Sequence, residues 1–160
     1  MDAKAVPPSS TCAPLRNAQA GRLRPMLNSE SATTVLPKTK TALVVDDVPS
    51  VRCYHNHILT RAGFTCRTAP NGREALSLLQ EQRVDLVMLD LVMPEMTGEE
   101  FLRHLHENSA WANIAVLIIS SESLGTRIRR DSTPTSGPVG FVRKPLMPAA
   151  ILAEVKHLLG

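Results

Sequence analysis

The chain has 160 residues, of which 43% are hydrophobic, and its formal net charge is +3 at pH 7. This length fits one domain with a sizeable core plus an additional segment, and no apolar stretch is long enough to span a bilayer. The three cysteines, Cys12, Cys53 and Cys66, are irregularly spaced, which argues against a disulfide framework or a zinc site. The sequence therefore predicts a globular cytoplasmic protein with reduced thiols.

The first 40 residues differ in charge and composition from the rest of the chain. They contain six basic and two acidic residues, a net charge of +4, whereas the remainder contains 12 basic and 13 acidic residues, a net charge of −1. They are rich in Pro, Ser, Thr and Ala and have no sustained apolar period, which is typical of disorder. We therefore predict a disordered basic leader at residues 1–40 and a folded domain at residues 41–160.

The folded domain opens with a short apolar run, 41–45, which predicts a buried strand ending in Asp46 and Asp47. Pro49 suits the first turn of the helix after it. Helical spacing predicts an inward face made of Val51, Tyr54, Ile58, Leu59 and Ala62. The same spacing places His55 and His57 on different faces, so a shared metal is not expected and both are predicted to lie on the surface.

An edge strand is predicted at residues 64–68, and Asn71-Gly72 then turns the chain into a second helix with Ala75 and Leu79 facing inward. The next run, 84–90, is apolar almost throughout and ends in Asp90. Because Pro94 and Gly98 prevent the strand from continuing, Asp90 should lie at its carboxyl end. In open α/β sheets, ligands bind at that edge.

The remaining pattern alternates in the same way. A helix is predicted at residues 98–107, a third buried strand at 114–119 with Ser120 after it, and a short strand at 140–143 with Lys144 after it. Between the last two strands, a helix could run from residue 122 to about 130, but Pro134, Gly137 and Pro138 prevent its continuation. A final helix begins near Pro148.

Five strands alternating with helices predict a doubly wound parallel sheet, flavodoxin-like in strand order 2-1-3-4-5, with an atypical fourth helix. The carboxyl ends of these strands bring Asp46, Asp47, Asp90, Ser120 and Lys144 to one edge. Carboxylates in one cleft repel each other, and a hard divalent cation such as Mg²⁺ relieves the conflict. These residue types predict an aspartyl-phosphate site, with Asp90 as nucleophile, Lys144 as a positive charge and the Ser120 hydroxyl as a donor.

Four ordered motifs, Val-Asp-Asp at 45–47, Leu-Asp-Leu-Val-Met-Pro-Glu-Met-Thr-Gly at 89–98, Ile-Ser-Ser at 119–121 and Phe-Val-Arg-Lys-Pro at 141–145, resemble the receiver domain of two-component response regulators. The resemblance implies that Asp46, Asp47, Asp90 and the backbone carbonyl of Val92 bind Mg²⁺. It also implies that Asp90 accepts phosphate from a histidine kinase or a histidine phosphotransfer protein.

The resemblance further implies that Ser120 and Phe141 form a switch pair, that Lys144 contacts the phosphoryl group and that a cis bond precedes Pro145. Phosphorylation would then reshape a face that binds a downstream protein. We expect a stand-alone, chemotaxis-regulator-like receiver with no direct DNA binding and no membrane contact, because the sequence stops after the last predicted helix. Such a protein would catalyse only its own phosphorylation and dephosphorylation.

Three features depart from the family pattern. Ser121 is polar where the family usually has a small apolar residue, and Val92 and Glu122 occupy positions that tune hydrolysis in the family. Residues 131–138 replace the second half of the expected fourth helix. Three alternatives therefore remain open: a phosphate sink or shuttle, a phosphorylation-independent binding module, and an aspartate-nucleophile phosphatase. The last is disfavoured because its D-x-D pattern belongs at the first strand.

Overall fold

The computed structural model describes residues 39–120 and 137–160. Within these ranges, five strands form one parallel sheet in the order β2-β1-β3-β4-β5, which confirms the predicted fold. The strands are β1 (Thr41–Val45), β2 (Thr65–Ala69), β3 (Leu86–Asp90), β4 (Ala115–Ser120) and β5 (Val139–Arg143).

A helix comes after each of the strands β1, β2, β3 and β5. These helices are α1 (Pro49–Arg61), α2 (Gly72–Glu81), α3 (Gly98–Glu107) and α4 (Pro148–Leu159). The helix predicted from residue 122, and its interruption at 131–136, lie outside the described residues, as does the predicted leader up to residue 38. Among the described helices, none combines the length and the apolar character needed to cross a membrane.

The central strands are apolar on both sides because both faces of the sheet are covered. Every residue of β3 and β4 is buried. One core cluster contains Phe101 and Leu105 of α3 against Val87 and Leu89 of β3, and the other contains Ile151 of α4 with the alternate residues of the strands. Burial on both faces explains why these strands read as unbroken apolar runs rather than as alternating patterns.

Two helix starts are fixed by side chains. The Asn71 side chain accepts a hydrogen bond from the Glu74 backbone N–H at 2.9 Å and so caps α2. At the start of α3, Thr97 and Glu100 form a reciprocal capping box, in which each side chain accepts from the other residue's backbone N–H. The capping box at Thr97 ends the loop that follows Asp90, and so fixes where α3 begins.

The inward face of α1 was predicted correctly for Ile58 and Leu59 but wrongly for Tyr54 and for Ala62, which is exposed. Tyr54 is 42% exposed, whereas His55 is fully buried together with Ile58 and Leu59. The buried set follows i, i+3 and i+4 spacing, and His55 completes it one turn before Leu59. His57 lies on the exposed side, as predicted. Side-chain position on the helix therefore outweighed polarity in deciding which residue faces the core.

Trp111 lies at the opposite end of the sheet from Asp90. It precedes β4, its backbone carbonyl accepts from the Ile114 N–H at 2.9 Å, and its ring packs against the cluster that contains Phe101. Because β3 and β4 are parallel and pair Leu86 with Ala115, Trp111 is next to the amino ends of these strands.

Candidate functional site

Three carboxylates meet where β1 and β3 end. Asp46 and Asp47 come directly after β1, and Asp90 is the last residue of β3. One carboxylate oxygen from each residue lies within 4.8 Å of the other two. Asp46 is 2% exposed and Asp90 is 6% exposed, while Asp47 is the most accessible of the three. The sequence prediction that these side chains share one edge is therefore correct for all three.

The Asp46 carboxylate is only half satisfied by the described residues. Its Oδ1 accepts from the Val48 backbone N–H at 2.9 Å, whereas its Oδ2 is buried with no hydrogen-bond partner there. Burial raises the pKa of Asp46, and the charges of Asp90 and Asp47 act in the same direction, against the Val48 N–H and the Lys144 ammonium group. The Lys144 charge therefore only partly offsets the cost of burying the ionised form of Asp46.

Lys144 supplies one positive charge to this cluster. It comes directly after β5, and its Nζ lies 2.8 Å from the Asp90 Oδ2 in a salt bridge. The Lys144 side chain is 41% exposed, so the cation faces both Asp90 and solvent. The Lys144-Pro145 bond is cis, as the family resemblance implied. The other oxygen of Asp90, Oδ1, accepts from the Val92 backbone N–H at 3.3 Å.

Ser120 and Phe141 lie on neighbouring strands beside Asp90. Ser120 ends β4 and is 6% exposed, and its backbone carbonyl accepts from the Lys144 N–H at 3.1 Å. Phe141 lies in β5 and is partly buried against the core cluster that contains Leu89. Phe141 lies within β5 opposite Ile118. The residues that lie at the carboxyl edge, at or directly after the ends of their strands, are Asp46, Asp47, Asp90, Ser120 and Lys144.

Four residues at or near this edge were not predicted to belong to the site. The Arg52 guanidinium donates to the Asp46 backbone carbonyl, and Asn71 donates through Nδ2 to the Glu95 Oε2 at 3.3 Å. His55, fully buried in α1, is close enough to the site for the charges of Lys144 and Asp90 to act on its pKa. None of these contacts has a motif in the sequence, although the position of His55 one turn before Leu59 could have shown its burial.

The donor set fits a hard divalent cation. At an effective dielectric constant near 20, two carboxylates 4.8 Å apart repel each other by about 3.5 kcal/mol. Lys144 is paired with Asp90, which leaves the Asp46 Oδ2 as a buried oxygen that needs a positive partner. Mg²⁺ takes oxygen ligands, uses few protein carboxylates and keeps part of its water shell, so an open cluster of this kind suits it.

This protein therefore combines a doubly wound parallel sheet with an acidic cluster and a lysine at its carboxyl edge. The family model for the response regulator receiver domain matches residues 42–156. The chain therefore belongs to the response regulator receiver family, whose domains are the phosphoacceptors of two-component systems and bind Mg²⁺ at an acidic pocket.

Individual relatives agree with this assignment. The two-component response regulator ORR5 of Oryza sativa subsp. japonica is 37% identical over 110 residues, which covers 68% of this chain and 81% of that protein. The chemotaxis response regulator CheY4 of Vibrio cholerae has a TM-score of 0.69 at 31% identity, with 76% of this chain and 100% of that chain covered.

A third relative was solved with ligands in place. The response regulator TrrA of Thermotoga maritima, in complex with Mg(2+)-BeF, has a TM-score of 0.65 at 29% identity and covers 76% of this chain and 100% of that one. All three relatives align with most of their own length, so the similarity extends over the whole domain rather than over one motif.

Proposed function

We propose that Asp90 accepts a phosphoryl group from a histidine kinase or a histidine phosphotransfer protein, and that this modification changes how the domain binds a downstream protein. The observation that carries the proposal is the cluster around Asp90: one oxygen each from Asp46 and Asp47 within 4.8 Å, and the Lys144 Nζ at 2.8 Å. A carboxylate held between an acidic pair and an ammonium group is suited to receive an anionic group when a cation is also bound.

In this proposal Mg²⁺ is held by the carboxylates of Asp46, Asp47 and Asp90 and by the backbone carbonyl of Val92. When bound, it would neutralise negative charge on the phosphoryl oxygens and bring them to the acidic edge. The buried, unpartnered Oδ2 of Asp46 supports this assignment, since a cation would satisfy it. The complex of TrrA with Mg(2+)-BeF supports a magnesium ligand for this chain as well.

The chemistry then depends on this chain's own groups. A carboxylate oxygen of Asp90 attacks the phosphorus of a phosphohistidine, a P–O bond forms, and the P–N bond breaks with its electron pair passing to the imidazole. The Lys144 ammonium group, which pairs with the Asp90 carboxylate before the reaction, then pairs with a phosphoryl oxygen. The Ser120 hydroxyl donates a hydrogen bond to another phosphoryl oxygen. Water later attacks the acyl phosphate, which releases inorganic phosphate and restores the Asp90 carboxylate. No other substrate is turned over.

The face around the site is suited to a protein donor. Three exposed apolar side chains surround it on three different loops: Val48 (44% exposed), Val92 (63%) and Met147 (65%). Exposed apolar groups clustered beside a charged site favour contact with another protein over contact with a small ligand alone. We assign this face to the phosphodonor and locate the encounter in the cytoplasm.

The test is phosphorylation with acetyl phosphate and Mg²⁺, with intact mass measurement as the readout. The parent protein should gain one phosphoryl group, and Asp90→Asn or an excess of EDTA should abolish the gain. Asp85→Asn is the matched control, because Asp85 lies near the other end of the same strand, where it accepts from the Thr41 N–H at 2.8 Å. The assignment would be lost if Asp90→Asn gained phosphate as well as the parent, or if EDTA had no effect.

A further inference from the structure

The loop from β3 to α3 contains a strained turn. The Met96 N–H donates to the Pro94 carbonyl at 2.8 Å, and the residue between them, Glu95, has a φ of 67°. A hydrogen bond between residues i and i+2 across a positive φ is the signature of a γ-turn, and the left-handed region is unfavourable for a residue with a Cβ. Such a conformation persists only when surrounding contacts hold it.

Two contacts from this turn reach the amino end of α2. The Asn71 Nδ2 donates to the Glu95 Oε2 at 3.3 Å. Beside it, the Met96 side chain lies so close to Gly72 that a Cβ there would be 2.6 Å from the Met96 sulfur. A Cβ at position 72 would therefore displace the Met96 side chain, so on this side the turn is in contact with α2.

Asn71 has a double role in these contacts. It is 8% exposed, and its Oδ1 caps α2 through the Glu74 N–H while its Nδ2 holds Glu95. The helix that it caps is anchored in the core by Ala75 and Leu79. The strained turn is thus tied to a rigid element through one buried side chain.

We propose that Asn71 and Glu95 are positioning residues: their hydrogen bond keeps the β3–α3 loop in the conformation that makes the Val92 carbonyl available to Mg²⁺. This inference rests on the proposed function, which assigns Val92 as a ligand. Neither Asn71 nor Glu95 touches the cation or the phosphoryl group in this account. They act by limiting the freedom of a loop that has few other restraints on its exposed side, where Val92, Pro94 and Glu95 all face solvent.

Exchanging the donor and the acceptor of the hydrogen bond between Asn71 and Glu95 tests its positioning role. Asn71→Asp keeps an oxygen to cap α2 but replaces the Nδ2 donor with a second carboxylate oxygen facing Glu95. The double variant Asn71→Asp/Glu95→Gln restores a hydrogen bond with the donor and acceptor exchanged. It has the same total charge as the parent, so the net charge near the cation is unchanged.

The readout is the dissociation constant for Mg²⁺ alone, measured by isothermal titration calorimetry. Asn71→Asp should bind Mg²⁺ about threefold to tenfold more weakly, as loss of one hydrogen bond predicts. The double variant should return to within about twofold of the parent. The extra negative charge of Asn71→Asp would by itself strengthen cation binding, so weaker binding cannot be a charge effect.

Equal affinity of Asn71→Asp and the parent, or failure of the double variant to recover, would overturn the inference. Glu95→Ala provides a second way to remove the hydrogen bond and leaves the α2 cap intact. It is compared with Glu95→Gln, which loses the same charge but keeps an oxygen that accepts from Asn71, so only Glu95→Ala should show the weakening that the hydrogen bond explains. If the parent itself bound no Mg²⁺, the cation site of the proposed function would be wrong and the positioning role would be lost with it. Titration of the parent with Mg²⁺ therefore distinguishes an error in the proposed cation site from an error in the proposed role of the Asn71–Glu95 hydrogen bond.

Discussion

His55 should make the folded protein lose stability in mild acid, and removing the imidazole should abolish that loss. The side chain is fully buried, and neither of its nitrogens has a hydrogen-bond partner among the described residues. Burial lowers the pKa of His55 to about 4, from 6.5 for an ordinary histidine. The nearby Lys144 ammonium contributes to this lowering, and the Asp90 carboxylate partly opposes it.

The direction of the change in unfolding free energy with pH follows from proton binding at His55. Between pH 6.5 and 4, the unfolded chain binds a proton at residue 55 and the folded protein resists it, so acidification favours unfolding. Stability from this residue is therefore fully present above pH 6.5 and declines as the pH falls, until the loss levels off below about pH 4. At pH 5.5 the loss is about 1.4 kcal/mol, and it approaches about 3 kcal/mol at the acid limit.

The assay is urea unfolding of the parent, His55→Leu and His57→Gln at several pH values from 7.5 to 5, with EDTA present throughout. His55→Leu should be at least as stable as the parent at pH 7.5, because leucine fills the site without an unpaired polar group. It should also retain about 1.4 kcal/mol more of its stability than the parent at pH 5.5. His57→Gln removes an exposed imidazole from the same helix and should behave like the parent.

Asp46 must be considered in the same experiment. Its raised pKa acts in the opposite direction, because a folded state that binds a proton more readily gains stability as the pH falls. Asp46 is present in all three proteins, so its contribution cancels in the comparison. Parallel pH curves for the parent and His55→Leu would show that the buried imidazole is protonated or hydrated in the folded state, and the reasoning would be wrong.

Two further predictions concern the switch and the leader. In the parent, binding of beryllofluoride and Mg²⁺ should slow hydrogen exchange at residues 139–143. Ser120→Ala should still be phosphorylated on Asp90 but should lose this protection, because the hydroxyl would link the phosphoryl group to β5. Equal protection in both proteins would rule out the switch and favour a phosphate sink. Limited trypsin digestion should cut within residues 1–40 first, and removal of this segment should change the melting temperature little, since it has no core-forming pattern. Protection of every basic site in this segment would show that the leader is docked.

The sequence predicted the elements whose burial is uniform. β3 and β4 are covered on both faces, so their apolar runs identified them without any knowledge of neighbours, and Asp90 and Ser120 were then evident as the polar residues that end them. The chain breakers Pro94 and Gly98 also indicated where β3 stops. These signals are local, which is why they hold in three dimensions.

The errors arose where a residue's environment depends on distant parts of the chain. Helical spacing from Ile58 suggested that Tyr54 faces inward, but the residues of α1 that are buried are His55, Ile58 and Leu59. The link from Asn71 to Glu95 spans 24 positions in sequence and depends on a positive φ that no motif announces. Asn71 was recognised as a turn residue, but its second contact could only be found in three dimensions.

The location of Trp111 has a practical consequence for spectroscopy. It is the only tryptophan in the chain, and it lies beyond the amino ends of β3 and β4, whereas Asp90 is at the carboxyl end. Asp90 is four residue steps along β3 from Leu86, or roughly 13 Å. Intrinsic fluorescence should therefore report global unfolding with little interference from cation binding or phosphorylation. Conversely, an optical assay of site occupancy will need a second fluorophore, introduced on one of the loops at the carboxyl edge.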